Sequence, residues 1–187
     1  MINFSEGEPA FINGDIISQF NLKNGMQIPK SAWEEIVYAN DFRKARERAL
    51  YLLDYRDYSY IELFKKLEKN YDEDICYDVL DSLVKAGVIN DRRYAENLAE
   101  KLMTVKKVGY YKAIQEMRFK GISKNLADEV LEPYAEETME RIVELLQTKY
   151  FKKLEQDNGI NKVKNALVRQ GYSYSDINDA LNEFFDD

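Results

Sequence analysis

Apolar residues along this chain recur three and four apart, not at every second position, and from Arg43 onward that period predicts helix after helix. The clearest stretch runs from Val88 to Ser123. Asn90 is placed as an N-cap whose side chain accepts from a free helical N–H, and Asp91 follows in the first turn, where a negative charge favours the dipole. Tyr94, Ala95, Leu98, Ala99, Leu102 and Met103 then form one buried stripe. Gly109 breaks the pattern. Ala113, Ile114 and Met117 supply the apolar side of a second helix that ends at Lys120-Gly121, where glycine can take the left-handed C′ conformation.

The same grammar appears on both sides. Ala45, Ala49, Leu52 and Leu53 predict a helix, the capping box Ser59-Tyr-Ile-Glu62 opens another with Leu63, Phe64 and Leu67, and Cys76, Val79, Leu80 and Leu83 mark a third, closed by Gly87. Tyr60, Leu63, Leu67 and Tyr71 align with Tyr110, Ala113, Met117 and Gly121, and again with Ile160, Val163, Leu167 and Gly171. Lys-Gly-Ile-Ser123 matches Gln-Gly-Tyr-Ser173, each serine able to cap a third helix carrying Ala127, Val130 and Leu131 or Ile177, Ala180 and Leu181. Pro133 is expected at N1 of the first helix of the last copy, which buries Met139, Ile142, Val143, Leu146 and Tyr150. The reading is all-α: an elongated row of three tandem three-helix repeats, at 43–89, 90–132 and 133–187, with a small N-terminal appendage over 1–42. In the appendage Ala10 to Ile12 reads as a short strand, Asp15 as the cap of a short helix carrying Ile16, Ile17 and Phe20, and Ser31-Ala-Trp-Glu34 as a capping box; a hairpin across Asn13-Gly14 is the other reading. Trp33 is expected to anchor appendage to repeats.

Charge changes the picture. The chain of 187 residues carries net charge −7, yet the window 92–124 holds nine basic and three acidic residues, net +6, while 125–187 is net −7. A net acidic chain does not coat DNA indiscriminately, so any nucleic-acid contact is local or shared with a partner. The absence of histidine removes Ser-His-Asp and Cys-His nucleophile pairs and most zinc sites, and no glycine-rich phosphate loop occurs. Asp72-Glu73-Asp74 reads as helix capping. The single cysteine, Cys76, reads as an inert core residue, and with no signal segment or bilayer-length apolar run the expectation is a cytoplasmic protein with no membrane contact, no metal, no cofactor and no catalytic residue.

Three motifs carry a resemblance: Tyr58-Ser-Tyr-Ile-Glu-Leu-Phe-Lys-Lys-Leu67, Leu83-Val-Lys-Ala-Gly-Val-Ile-Asn-Asp-Arg-Arg-Tyr-Ala95, and Gly109 followed by Ile114-Gln-Glu-Met-Arg-Phe-Lys-Gly-Ile122. Over about residues 43–185 the chain resembles the RecX family of regulatory proteins, bacterial modulators of the RecA recombinase. The resemblance implies three-helix repeats and binding in the groove of the RecA–single-stranded DNA filament, inhibiting recombinase, ATPase and coprotease activity in DNA repair and the SOS response. DNA is expected to be met through the filament. The residues expected to face it are Arg92, Arg93, Lys101, Lys106, Lys107, Tyr110, Tyr111, Lys112, Arg118 and Lys120, chosen for the positive window and for tyrosine stacking. A helical-repeat scaffold and a helix-turn-helix-like DNA-binding regulator are the alternatives.

Overall fold

The computed structural model describes residues 2–4 and 8–186, and the chain divides into two compact units, residues 1–89 and 90–187. Helices dominate both. The only sheet-like pairing among the described residues is one antiparallel bridge between Ile2 and Ala10, so the short strand expected over Ala10 to Ile12 shrinks to that bridge.

The first unit holds four helices: α1 (Gly14–Gln19), α2 (Lys30–Tyr55), α3 (Tyr60–Leu67) and α4 (Glu73–Lys85). Asn13 caps α1 through its side chain, which accepts from the Asp15 N–H at 2.8 Å. Asp15, the cap expected from the sequence, instead lies in the first turn and pairs with Arg43 at 2.8 Å. The capping box expected at Ser31 does not form either. Pro29 takes the N-cap place, so α2 starts two residues earlier, and Glu34 lies 3.8 Å from Lys30. Helix α2 serves two cores: Ile36 packs with Ile12, Ile16 and Trp33, whereas Ala45 and Ala49 pack with Leu63, Leu67, Val79, Leu80 and Leu83. Because it runs unbroken through 42–43, the N-terminal segment and the first repeat share one helix. Asn40, 2% exposed, sits between the two cores, accepting from the Asn13 N–H at 2.9 Å and donating to the Phe11 carbonyl at 3.4 Å. Trp33 stays within the N-terminal cluster, with Phe4 edge-on at 4.9 Å. Ser59 caps α3 as its box predicts, accepting from Glu62 N–H at 3.2 Å.

The second unit contains α5 (Asp91–Glu100), α6 (Tyr110–Phe119), α7 (Lys124–Leu131), α8 (Thr138–Leu145), α9 (Phe151–Leu154), α10 (Gly159–Arg169) and α11 (Tyr174–Asp186). Asn90, Ser123 and Ser173 cap as the sequence predicts, accepting from Arg93, Leu126 and Asp176 N–H at 3.0, 3.3 and 3.1 Å. Pro133 belongs to a single 3-10 turn, Glu132–Tyr134, and α8 begins only at Thr138. The stripe of α5 is also shifted. Ala95, Ala99, Leu102 and Met103 are fully buried, while Tyr94 and Leu98 lie half-buried at its edge.

Helices α5 and α8 both end in a wider π turn, at Lys101–Val105 and Leu146–Tyr150. In each, a threonine hydroxyl donates to the carbonyl four residues back, Thr104 to Glu100 and Thr148 to Glu144, both at 2.6 Å, a bond that competes with the regular helical ladder. The feature therefore recurs in the last two repeats, while α2 of the first runs on as α-helix to Tyr55. Separate cores form around Leu102, Met117 and Leu131 and around Ile142, Leu167, Ile177 and Leu181.

Candidate functional site

Where the two repeats of the second unit meet, backbone touches backbone. The Gly109 N–H donates to the Gln170 carbonyl at 2.9 Å and the Tyr111 N–H to the Gly171 carbonyl at 3.2 Å. A Cβ on Gly109 would overlap the Gly171 carbonyl, and Gly171, at φ +96°, turns its own bare face to the Cβ of Lys112. Two glycines are required here because only they allow this approach. Lys107, at φ +49°, closes the preceding helix in the left-handed conformation, with the Val108 N–H reaching back to Leu102 O at 3.1 Å. Its carbonyl accepts from Gln170 Nε2 at 2.5 Å and from the Tyr172 hydroxyl at 2.8 Å, and Tyr150 donates to Gln170 Oε1 at 3.1 Å. Burial pushes the Tyr172 phenol up to about 12.

Two grooves open at this junction, and they share no lining residue. The first, of about 440 Å³, is lined by Lys106, Lys112, Lys149 and Arg169, with Tyr150, Gln170 and a single acid, Glu116. Glu116 is paired with Lys106 at 3.1 Å. Lys149 and Arg169 come from the last repeat, whose net acidity hid them from a sequence count. The detectable signal was position: each stands one residue before a residue of the junction, Lys149 before Tyr150 inside the π turn and Arg169 before Gln170 at the end of α10. The second groove, of about 740 Å³, is lined by Tyr110, Tyr111 and Tyr134 over Met103 and Leu131, with Asp128, Glu129, Glu132 and Asp176 along it.

The ten residues chosen from the sequence are thus distributed. Lys106 and Lys112 enter the basic groove and Tyr110 and Tyr111 the acidic one. Arg92 is forked onto Glu129 at 2.8 and 3.0 Å, which raises the guanidinium and lowers the carboxylate. The Lys107 ammonium is spent on Glu144, so this residue belongs to the joint and not to an outward helical face. The Tyr110 hydroxyl donates to Asp128 at 2.6 Å, a bond that raises the phenol, while Lys124 at 2.8 Å and Tyr110 together hold the Asp128 carboxyl low. Lys101 and Arg118 are exposed and make no ion pair among the described residues. Arg93 is exposed and Lys120 half-buried at the end of α6. Sequence reasoning also passed over Phe119, which stands 81% exposed between Arg118 and Lys120. No group of three potential metal ligands occurs among the described residues, and burial pushes the Cys76 thiol up, away from the reactive thiolate.

Known proteins resemble the first two repeats and most of the chain. The family model described as RecX, first three-helix domain, matches residues 45–83, and that of RecX, second three-helix domain, matches 90–131. Regulatory protein RecX of Streptococcus sanguinis strain SK36 is 29% identical over 177 residues, 94% of this chain and 69% of that protein. Its counterpart in Staphylococcus carnosus strain TM300 is 31% identical over 173 residues, 91% of this chain and 65% of that protein. The crystal structure of RecX from Lactobacillus salivarius superposes with a TM-score of 0.71 at 27% identity, covering 78% of this chain and 97% of that one. A second crystal structure, of regulatory protein RecX, shares the fold at a TM-score of 0.78 over 96% of this chain and 92% of that one, at 23% identity. Two matched three-helix domains, relatives aligned along nearly the whole chain and a shared fold agree: the chain belongs to the RecX family.

Proposed function

We propose that this protein is a non-catalytic regulator that binds the RecA–single-stranded DNA filament and lowers its recombinase, ATPase and coprotease activity. Family membership supports the partner, and the observation that carries the mode of binding is the basic groove at the joint of the last two repeats. Lys112, Lys149 and Arg169 make no ion pair among the described residues, so their charge is available to phosphates or to acidic protein. Three cations on a backbone-pinned scaffold need little ordering to bind, which saves conformational entropy. Occupying the filament groove would obstruct subunit movement and addition, so binding alone accounts for inhibition and no catalytic group is required.

The test is RecA-dependent ATP hydrolysis on single-stranded DNA with increasing amounts of the triple variant Lys112→Glu, Lys149→Glu, Arg169→Glu. Three desolvated contacts at about 1 kcal/mol each require roughly a hundredfold more protein for equal inhibition, and wild-type inhibition should weaken as salt rises. A folded variant that inhibits as well as wild type would move the contact surface off this groove.

A further inference from the structure

The tyrosine-lined groove has no use in binding an anionic filament groove, since its carboxylates repel phosphate. We propose that it docks a second ligand class: a cationic, arginine- or lysine-bearing segment of a protein partner. Three observations select that occupant. The floor, Met103 and Leu131, and the walls, Tyr110, Tyr111 and Tyr134, offer apolar surface and ring faces, the environment that receives a guanidinium and its aliphatic stem. Three cations beside it are already committed: Arg92 to Glu129, Lys124 to Asp128, and the 6%-exposed Arg141 to Glu137 and the Tyr134 carbonyl. That leaves Glu132 and Asp176, which pair with no cation among the described residues although both line the groove. The shape therefore excludes little, and the charge excludes nucleic acid and acidic peptides.

The proposal does not depend on the filament reading, because its probe contains neither RecA nor DNA. A fluorescein-labelled peptide of alternating arginine and alanine is titrated with the full-length chain and followed by anisotropy. Wild type is expected to bind it with an affinity that falls as salt rises, and Glu132→Gln with Asp176→Asn to weaken it at least tenfold. Tyr111→Ala, at a 64%-exposed ring that leaves the cores intact, should weaken it severalfold and serves if the first pair disturbs α11. A control pair outside the groove, Glu155→Gln with Asp157→Asn, removes the same charge and should leave affinity unchanged. Equal loss in both carboxylate pairs would reduce the effect to net charge and overturn the proposal. So would equal binding of a glutamate–alanine peptide. A third overturning outcome is a self-association, seen by sedimentation without peptide, that Glu132→Gln with Asp176→Asn abolishes, since the occupant would then be a second copy.

Discussion

The basic and the acidic groove are built from the same two repeats and meet the same backbone joint, yet they carry opposite charge. Helix α6 gives Tyr110 and Tyr111 to one and Lys112 and Glu116 to the other, because each helical step turns the side chain by about 100°. The turn after α10 divides likewise, with Arg169 and Gln170 in the basic groove and Ser173 in the acidic one. The lesson is that the positive window in the sequence is not a surface. Arg92 and Lys124 are spent on carboxylates of their own repeat and Lys107 on one of the next, Lys106 and Lys112 line a groove completed by that next repeat, and the window's tyrosines belong to a negative site.

The largest expected effect comes from breaking what both grooves share. Gly109→Ala places a methyl inside the Gly171 carbonyl, and backbone cannot rotate aside, so unfolding in urea should show a loss of at least about 3 kcal/mol and both binding activities should fall together. Loss of one activity alone would mean that the grooves are independent. Gly87→Ala sharpens this: its φ is +70° but nothing lies within 4 Å of the added carbon, so only the left-handed strain, about 1–2 kcal/mol, should be lost.

Next in size is the crossed charge test. Reversing Lys112, Lys149 and Arg169 should weaken filament inhibition about a hundredfold, a little under 3 kcal/mol, and leave the arginine peptide bound as tightly or more tightly. Glu132→Lys with Asp176→Lys should reverse the pattern, abolishing peptide binding and sparing inhibition. If each variant damages both activities, the charge acts through the whole molecule and not through two grooves.

The smallest effect reads the joint itself by pH. The Tyr172 phenol is raised to about 12 by burial from an ordinary value of 10.0, so the folded state favours the neutral form. Its contribution is complete below about pH 10 and is lost as pH climbs toward about 12, on the order of 1–2 kcal/mol. Thermal melts across that range should show Tyr172→Phe losing less stability than wild type. Tyr38, raised to about 12 chiefly by its bond to Asp78, titrates in the same range and should be held constant by Tyr38→Phe in both backgrounds.

Much was legible in the order of residues. Caps at Asn90, Ser59, Ser123 and Ser173, the left-handed glycines at 87, 121 and 171, and the repeated apolar triplets are all local, because capping and helical periodicity involve residues within a few positions of one another. Where two local signals compete, the sequence does not choose between them: Pro29 displaces the Ser31 box, and Asn13 displaces Asp15 as a cap. The period alone cannot say which edge of a stripe faces the core: Leu98 lies half-buried, and Leu102, 0% exposed, is the deeper residue.

The sequence by itself determined the all-helical repeat, the helix starts capped by Ser59, Asn90, Ser123 and Ser173, the absence of histidine chemistry and the family resemblance. Only the tertiary structure decided which charges remain available. Arg92 meets Glu129, and Lys107 meets Glu144, in each case across 37 positions, while Lys149 and Arg169 join Lys112 from a repeat whose composition is acidic. Coulomb attraction falls with distance in space and takes no account of distance along the chain, so a charge total over a window says nothing about pairing until Gly109 and Gly171 bring the repeats together.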